Sequence, residues 1–368
     1  MNASREQYYK DLVSGKRERL RDRLLWVILR LAAVLYAQVL RARASAYRLG
    51  LLPSYRLPVP VISVGNITLG GTGKTPMVAW LAEYFIRRGK RVAVISRGYR
   101  GSAEGSVLIV SDGTTIRVSP EESGDEPYLL AKKLPGLMVV IGADRRAAAQ
   151  TAMRELQPDL FILDDAFQHL RVKRDLNILL LDATRPFSNG ATLPAGFLRE
   201  APSAAGRADL VVYTRTREGE ATPDAVPGKP YCRTKHKLAA LLPLGGGEAK
   251  PLNSIPSTAR VLAFSGIADP SSFFDGLEAE GVGLITTLAF SDHTPYGEEE
   301  IAAILRLREA SRSTVMLTTE KDAVKLLGVA DRLVNCYAVS LELQFFDAAP
   351  METALEKLMA GEKRGGAA

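Results

Sequence analysis

A chain of 368 residues that is 46% hydrophobic has room for two domains of ordinary size and lies outside the disordered and low-complexity classes. Two cysteines, Cys232 and Cys336, and three histidines exclude a disulfide framework and a multi-histidine metal cluster, and suit a reducing compartment. The net charge of +7 is uneven: residues 1–56 hold twelve basic and four acidic side chains, a local +8, so the remainder is close to neutral and no nucleic-acid-binding face is expected on the body.

Residues 24–40, LLWVILRLAAVLYAQVL, make an apolar run flanked by arginines. As a helix it would reach roughly 26 Å, against the ~30 Å of a bilayer core. Arg30 near its middle would cost about 3 kcal/mol in a spanning helix. At about 100° per residue, Arg23, Arg30 and Arg41 fall within about 20° of one another, with Leu25, Ile28, Ala32 and Val39 opposite. That pattern predicts a helix lying in the interface of an anionic leaflet. The arginine-broken run lacks the cleavage site of a secretory signal. An amphipathic helix packed on its own protein is the competing reading. Residues 1–50 are therefore expected to form a basic, membrane-associating arm.

Beyond the arm, apolar runs alternate with helical stretches. Strands are expected at 59–64, 91–95, 137–141, 160–163, 177–181 and 210–213, with helices such as 77–88 and 145–156 between them. This is the pattern of a parallel sheet covered on both faces, a phosphate-loop α/β domain over residues 51–222. Proline and glycine then accumulate, so residues 223–258 are expected to be a linker or small ribbon. A second set of strands, at 260–264, 284–289, 314–318 and 333–339, predicts a smaller C-terminal α/β lobe over residues 259–368.

The stretch ITLGGTGKTP follows the first strand and precedes a helix, the context that a phosphate-binding loop requires. Its residues Thr68, Leu69, Gly70, Gly71, Thr72, Gly73, Lys74 and Thr75 would cradle a nucleotide. Glycines let backbone N–H groups approach phosphate, and the helix start adds favourable partial charge. Lys74 would reach the β- and γ-phosphates, and the Thr75 hydroxyl would bind Mg²⁺. Thr68 stands where the common pattern has glycine, a position that mainly shapes the turn. Downstream, LFILDDAFQH sets Asp164 and Asp165 at a strand end, where a metal-binding carboxylate belongs. Two further residues could serve a proton transfer to or from an acceptor: Asp125 in SGDEP and His293 in FSDHTPY.

Taken together, SVGNITLGGTGKTP, ISRGYRG, GDEP, GADRR, ILDDAFQH, LPAGFLRE, FSGIADPSSF, SDHTPY and TTEKDAVKL resemble, in order and spacing, the tetraacyldisaccharide 4′-kinase family. The resemblance covers nearly the whole chain. It implies ATP-dependent phosphorylation of the 4′-hydroxyl of a lipid A precursor, tetraacyldisaccharide 1-phosphate, at the cytoplasmic face of the bacterial inner membrane. The enzyme would be peripheral or monotopic there. It also implies an N-terminal membrane helix and two α/β lobes joined by a ribbon. Asp125 would be the general base with His293 as its partner, supported by Asp292. Thr75, Asp164, Asp165 and Glu200 would handle Mg²⁺. Arg97, Tyr99, Arg145, Gln168 and His169 would line the acceptor pocket, where arginines suit a phosphate. The family's second-lobe motif carries two consecutive histidines, whereas Thr294 follows His293 here.

The alternative in view is a membrane-associated regulatory ATPase. Its loop reads KGGxGKT, and Leu69 occupies the place of its signature lysine. A GTPase is disfavoured because Lys321 and Asp322 in TTEKD are adjacent, unlike NKxD. A scaffold with a dead nucleotide fold is disfavoured by the intact Lys74, Asp125 and Asp164.

Overall fold

The computed structural model describes residues 3–17, 19–99 and 101–361. Glu18, counted in the charge of the arm, Arg100 of the ISRGYRG stretch, Met1, Asn2 and the end of the C-terminal segment, 362–368, lie outside the described residues.

Two helices open the chain, α1 (Ala3–Val13) and α2 (Leu20–Arg48). Then come β1 (Val61–Gly65), α3 (Lys74–Ile86), β2 (Val92–Ser96), β3 (Leu108–Asp112), α4 (Pro120–Ser123), α5 (Asp125–Lys133), β4 (Met138–Ile141) and α6 (Arg145–Glu155). β5 (Leu160–Leu163), β6 (Leu176–Asp182), β7 (Leu210–Thr214), β8 (Tyr231–Pro243) and the short β9 (Lys250–Pro251) follow. The chain ends through β10 (Val261–Ser265), α7 (Pro270–Ala279), β11 (Leu284–Ala289), α8 (Glu298–Ser311), β12 (Val315–Thr319), α9 (Glu320–Lys325), β13 (Cys336–Phe345) and α10 (Ala349–Met359). The result is a parallel-dominated α/β protein with an apolar N-terminal helix, as the sequence predicts.

These elements fall into two compact units, each discontinuous in sequence. One comprises Met1–Lys74, Asp159–Lys235 and Phe345–Ala368; the other comprises Thr75–Pro158 and His236–Gln344. In the first, β1 pairs in parallel with β5 on one side and β6 on the other, followed by β7 and the start of β8. β1, β5 and β7 are buried at every residue, which is why they read as continuous apolar runs. A sheet sealed on both faces leaves room for polar chemistry only beyond its strand ends.

In the second unit β4 joins β2 in parallel and β3 antiparallel. Around β10, strands β11, β12 and β13 are all parallel. Successive side chains of β10 point to opposite faces. Leu262 and Phe264 meet Ile301 and Ile304 of α8, while Val261 and Ala263 meet Phe273 and Leu277 of α7. Helices thus cover both sides.

The arm departs from its expected faces. α2 runs over 29 residues and seats one narrow stripe, with Asp22, Ala33 and Ala37 buried. Ala33 and Leu29 pack on Ala191 and Ala195, and the Thr192 hydroxyl donates to the Ala33 carbonyl at 2.9 Å. The Tyr9 hydroxyl reaches the carbonyls of Pro194 (3.1 Å) and Gly196 (3.2 Å). Buried Asp22 accepts from the Tyr8 hydroxyl at 2.6 Å. Alanines line the centre of this contact, with Leu29 at its edge, while the large apolar side chains Leu24, Ile28, Leu31, Val34, Leu35 and Val39 face outward. The open apolar face is wider than expected, so the row of Arg23, Arg30 and Arg41 flanks it instead of opposing its middle.

Other departures are local. The stretch read as linker or ribbon contains β8, a strand of 13 residues, with β9 antiparallel to it. β3 is an antiparallel strand that the reading omitted. β13 begins at Cys336 and not at Leu333, because Asn335 adopts a left-handed φ of 59° that ends the preceding turn.

Candidate active site

The phosphate loop is tied into the first unit on both sides. Leu69 N–H donates to the Phe197 carbonyl and Arg199 N–H to the Ile67 carbonyl, each at 2.7 Å. Thr68 forms an antiparallel bridge with Leu198. This answers the missing glycine. Within the loop the positive φ values fall on Gly70 (107°) and Gly73 (79°), and not on Thr68. A β-branched residue therefore fits at position 68, and its hydroxyl is used: buried Asn66 Nδ2 lies 3.4 Å from Thr68 Oγ1 and donates to Thr72 Oγ1 at 2.9 Å. Lys74 and Thr75 open α3, earlier than the expected start at residue 77.

Past β5, Asp164 is buried at 2% exposure, while Asp165 takes a left-handed φ of 47°. The Asp165 carboxylate is gripped by Arg199 Nη1 at 2.8 and 2.9 Å and lies 3.7 Å from Lys74 Nζ. Glu200 accepts from Arg207 at 2.7 Å. Among the described residues no three acidic, histidine or cysteine side chains stand together as a metal-holding group. Of the expected metal-binding set Thr75, Asp164, Asp165 and Glu200, Asp165 is engaged by Arg199 and Glu200 by Arg207.

Arg174 braces the backbone of this loop. Its guanidinium donates to the carbonyls of Ala166 and Phe167 at 3.3 Å and to that of His169. Burial, followed by the nearby charge of Arg207, pulls the Arg174 pKa down to about 10, still fully charged near neutrality. Gln168 is part of the same frame, its Nε2 donating to the Asn66 carbonyl at 2.8 Å. His169 follows it, so both expected acceptor-pocket residues belong to the first unit.

The second unit brings Asp125 and His293 together across 168 residues of sequence. His293 Nδ1 lies 3.2 Å from Asp125 Oδ2, and its Nε2 lies 3.8 Å from Asp292. Asp125 is the first residue of α5, where the helix start favours a carboxylate. Burial pushes its pKa up, but the His293 hydrogen bond and the Lys325 charge outweigh this and hold it below the ordinary carboxylate value. It therefore stays ionised until pH falls through that lowered value. The stability contributed by the ionised form is complete above the unfolded-state pKa and is lost across the same acidic range.

Arg97 and Tyr99 follow β2, and Arg145 opens α6 after β4, so all three stem from the ends of two neighbouring parallel strands. Arg97 is exposed and pairs with Glu104 at 3.3 Å; Tyr99 is exposed as well. Arg145 is buried, donating to the Gly142 carbonyl at 2.8 Å. The loop carrying Tyr99 lies against the turn that presents Asp125. Ser102 N–H donates to the Glu121 carbonyl at 2.8 Å. A Cβ on Gly101 would stand 2.3 Å from the Glu122 carbonyl oxygen, and one on Gly124 (φ 85°) would stand 2.8 Å from the Tyr99 carbonyl. Only glycine permits that approach.

Sequence reasoning missed Arg199, Arg207, Arg174 and Lys325. Arg199 and Lys325 did lie inside stretches singled out for other residues, LPAGFLRE and TTEKDAVKL. It also missed Arg215, which donates to the Gly71 carbonyl at 3.1 Å and pairs with Asp182 at 3.1 Å.

A family model described as tetraacyldisaccharide-1-P 4′-kinase, LpxK, matches residues 25–360. A tetraacyldisaccharide 4′-kinase of Pelobacter propionicus is 51% identical over 360 residues, covering 98% of this chain and 99% of its own. One from Geobacter metallireducens is 53% identical over 339 residues, covering 92% and 99%. The crystal structure of LpxK from Aquifex aeolicus in complex with ATP is 35% identical, with a TM-score of 0.76 over 92% of this chain and 99% of that one.

The Gly101 contact yields a prediction. Gly101→Ala must displace the 122–124 turn and with it Asp125, so kcat should fall on the order of a hundredfold. Nucleotide affinity, expected from residues 68–75, should hold. An unchanged kcat in the folded variant would show that this contact does not position Asp125.

Proposed function

The chain belongs to the tetraacyldisaccharide-1-P 4′-kinase family, and on that footing we propose that it transfers the γ-phosphoryl group of ATP to the 4′-hydroxyl of tetraacyldisaccharide 1-phosphate. A phosphate loop alone fits any nucleotide hydrolase. What favours an alcohol acceptor is the Asp125–His293 pair at 3.2 Å, a carboxylate base with a histidine that orients it.

In this reading the loop amides and Lys74 hold the triphosphate and neutralise the charge that spreads over the γ-phosphoryl oxygens. Asp125 takes the proton of the attacking hydroxyl. A carboxylate of lowered pKa is a weak base, but a loose transition state requires little deprotonation early. Mg²⁺ fits the available donors, which are all oxygens: Thr75 and Asp164 would hold it, with Asp165 and Glu200 engaged by arginines in this structure. Such an ion keeps waters and phosphate oxygens as ligands and needs no cage of three protein carboxylates. When bound it supplies further neutralisation of the β- and γ-oxygens. Arg97, Tyr99, Arg145, Gln168 and His169 are assigned to the acceptor, the arginines to its existing phosphate.

The acceptor carries four acyl chains, so the protein works at a membrane. α2 is long and apolar enough to cross one by length and composition, with 11% of its most apolar window buried. Its contacts from Leu29 to Arg43 with residues 168 and 191–195 run along the first unit, which suits a helix lying in the interface. Use of ATP as donor favours the cytoplasmic side of the inner membrane.

Incubating the detergent-dispersed lipid with Mg-ATP should add one phosphate to the lipid mass, and Asp125→Ala should abolish the gain. ATP loss with unchanged lipid would instead indicate the membrane-associated regulatory ATPase. For the arm, Leu31→Glu with Leu35→Glu should reduce flotation with anionic liposomes and raise KM for the lipid severalfold, leaving KM for ATP unchanged. Undiminished flotation would remove the α2 face from the account.

A further inference from the structure

The helix α9 touches α5 at three points, and one of them reaches Asp125 itself. Glu320 pairs with Lys133 at 2.9 Å, and Lys321 pairs with Glu126. Lys325 Nζ lies 3.4 Å from Asp125 Oδ2, the same oxygen that faces His293. Among the described residues no side chain is recorded on Asp125 Oδ1. That leaves Oδ1 as the oxygen from which a base can act.

Both groups on Oδ2 trace back to one carboxylate. Asp322 is fully buried, and its Oδ2 accepts from Thr319 Oγ1 at 2.7 Å, Gly266 N–H at 3.1 Å and Ser265 Oγ at 3.2 Å. Its Oδ1 faces Lys325 Nζ at 3.8 Å. The Gly266 residue whose N–H it fixes also accepts the backbone N–H of His293 at 2.9 Å, where His293 adopts a left-handed φ of 61°. Lys325 is 10% exposed and stands 5.9 Å from the Tyr296 ring. Burial and then the Asp322 charge push the Tyr296 hydroxyl pKa up, so that wall of the site stays neutral.

We propose that Lys325, seated on Asp322, is a positioning residue for the phosphoryl transfer: together with His293 it locks Asp125 through Oδ2 and turns Oδ1 to the acceptor hydroxyl. This rests on the reading of Asp125 as the base. The ammonium has two effects on that base. It fixes the rotation of the carboxylate, and it keeps a half-buried carboxyl ionised, since an opposite charge at this range favours the charged form. The other charged groups nearby are already engaged. Lys321 answers Glu126, and Asp292 lies beside His293. Glu320 and Lys321 already tie α9 to α5, and neither of them is paired with Asp125 as Lys325 is.

Lys325→Met alone would strand the buried Asp322 charge and could unfold the protein. The test therefore pairs it with Asp322→Asn, which neutralises both partners, and adds Lys325→Arg, which keeps the charge. Each variant is checked by thermal unfolding, and kcat and KM are measured across pH beside the wild type and Asp125→Ala. The folded double variant should lose kcat about tenfold or more with KM for ATP unchanged. Its acidic limb should move towards neutrality by about one pH unit or more, as expected for loss of a neighbouring cation. Lys325→Arg should keep the wild-type limb. A double variant whose acidic limb coincides with the wild type overturns the proposal, provided Asp125→Ala is inactive. If Asp125→Ala remains active, the base assignment itself fails, and the two failures are thereby told apart.

Discussion

Burial of the parallel strands on both faces is the constraint from which the rest of the structure follows. β1, β2, β4, β5, β7 and β10 are buried along their whole length, so neither sheet face can carry a solvated charge. Polar groups are displaced to the strand ends, and several of the residues proposed for the site sit there. The phosphate loop follows β1, Arg97 follows β2, Arg145 follows β4 and Asp164 follows β5. Ligands of open α/β sheets bind beyond the carboxyl ends of strands for this reason.

Within the first unit, residues 191–199 tie the arm to the nucleotide loop. Ala191, Thr192 and Ala195 seat α2, while Phe197 and Arg199 carry the main-chain bonds to Leu69 and Ile67. The Arg199 side chain then engages Asp165. The same short segment thus contacts both the arm and the loop that would hold the donor.

Much of this was legible in the sequence because burial writes itself as apolar runs. β5 and β11 coincide with their expected limits, and most other strands shift by one or two residues. The strand-loop-helix context located the phosphate loop, and the resemblance paired Asp125 with His293, which sequence separation alone hides. What was not legible depends on side-chain direction. Nothing local says that Arg199 claims Asp165 or that Arg207 claims Glu200. The centre of the α2 apolar face was misplaced because the helical wheel cannot say which stripe seats on the protein: burial of Ala33 and Ala37 leaves Leu24, Leu31 and Leu35 outward beside Ile28 and Val39. β8 was hidden because lysine and arginine interleave its apolar positions, and β13 because a left-handed Asn335 moves its start.

The central claim is direct transfer of the γ-phosphoryl group to a lipid hydroxyl, with water excluded as the acceptor. It is tested most directly with ATP bearing heavy oxygen at the three terminal γ positions and the disaccharide lipid in ordinary water. The account predicts a lipid product whose new phosphate holds three heavy oxygens and one ordinary bridging oxygen, the latter from the 4′-hydroxyl itself. Labelled inorganic phosphate beside an unaltered lipid would contradict it.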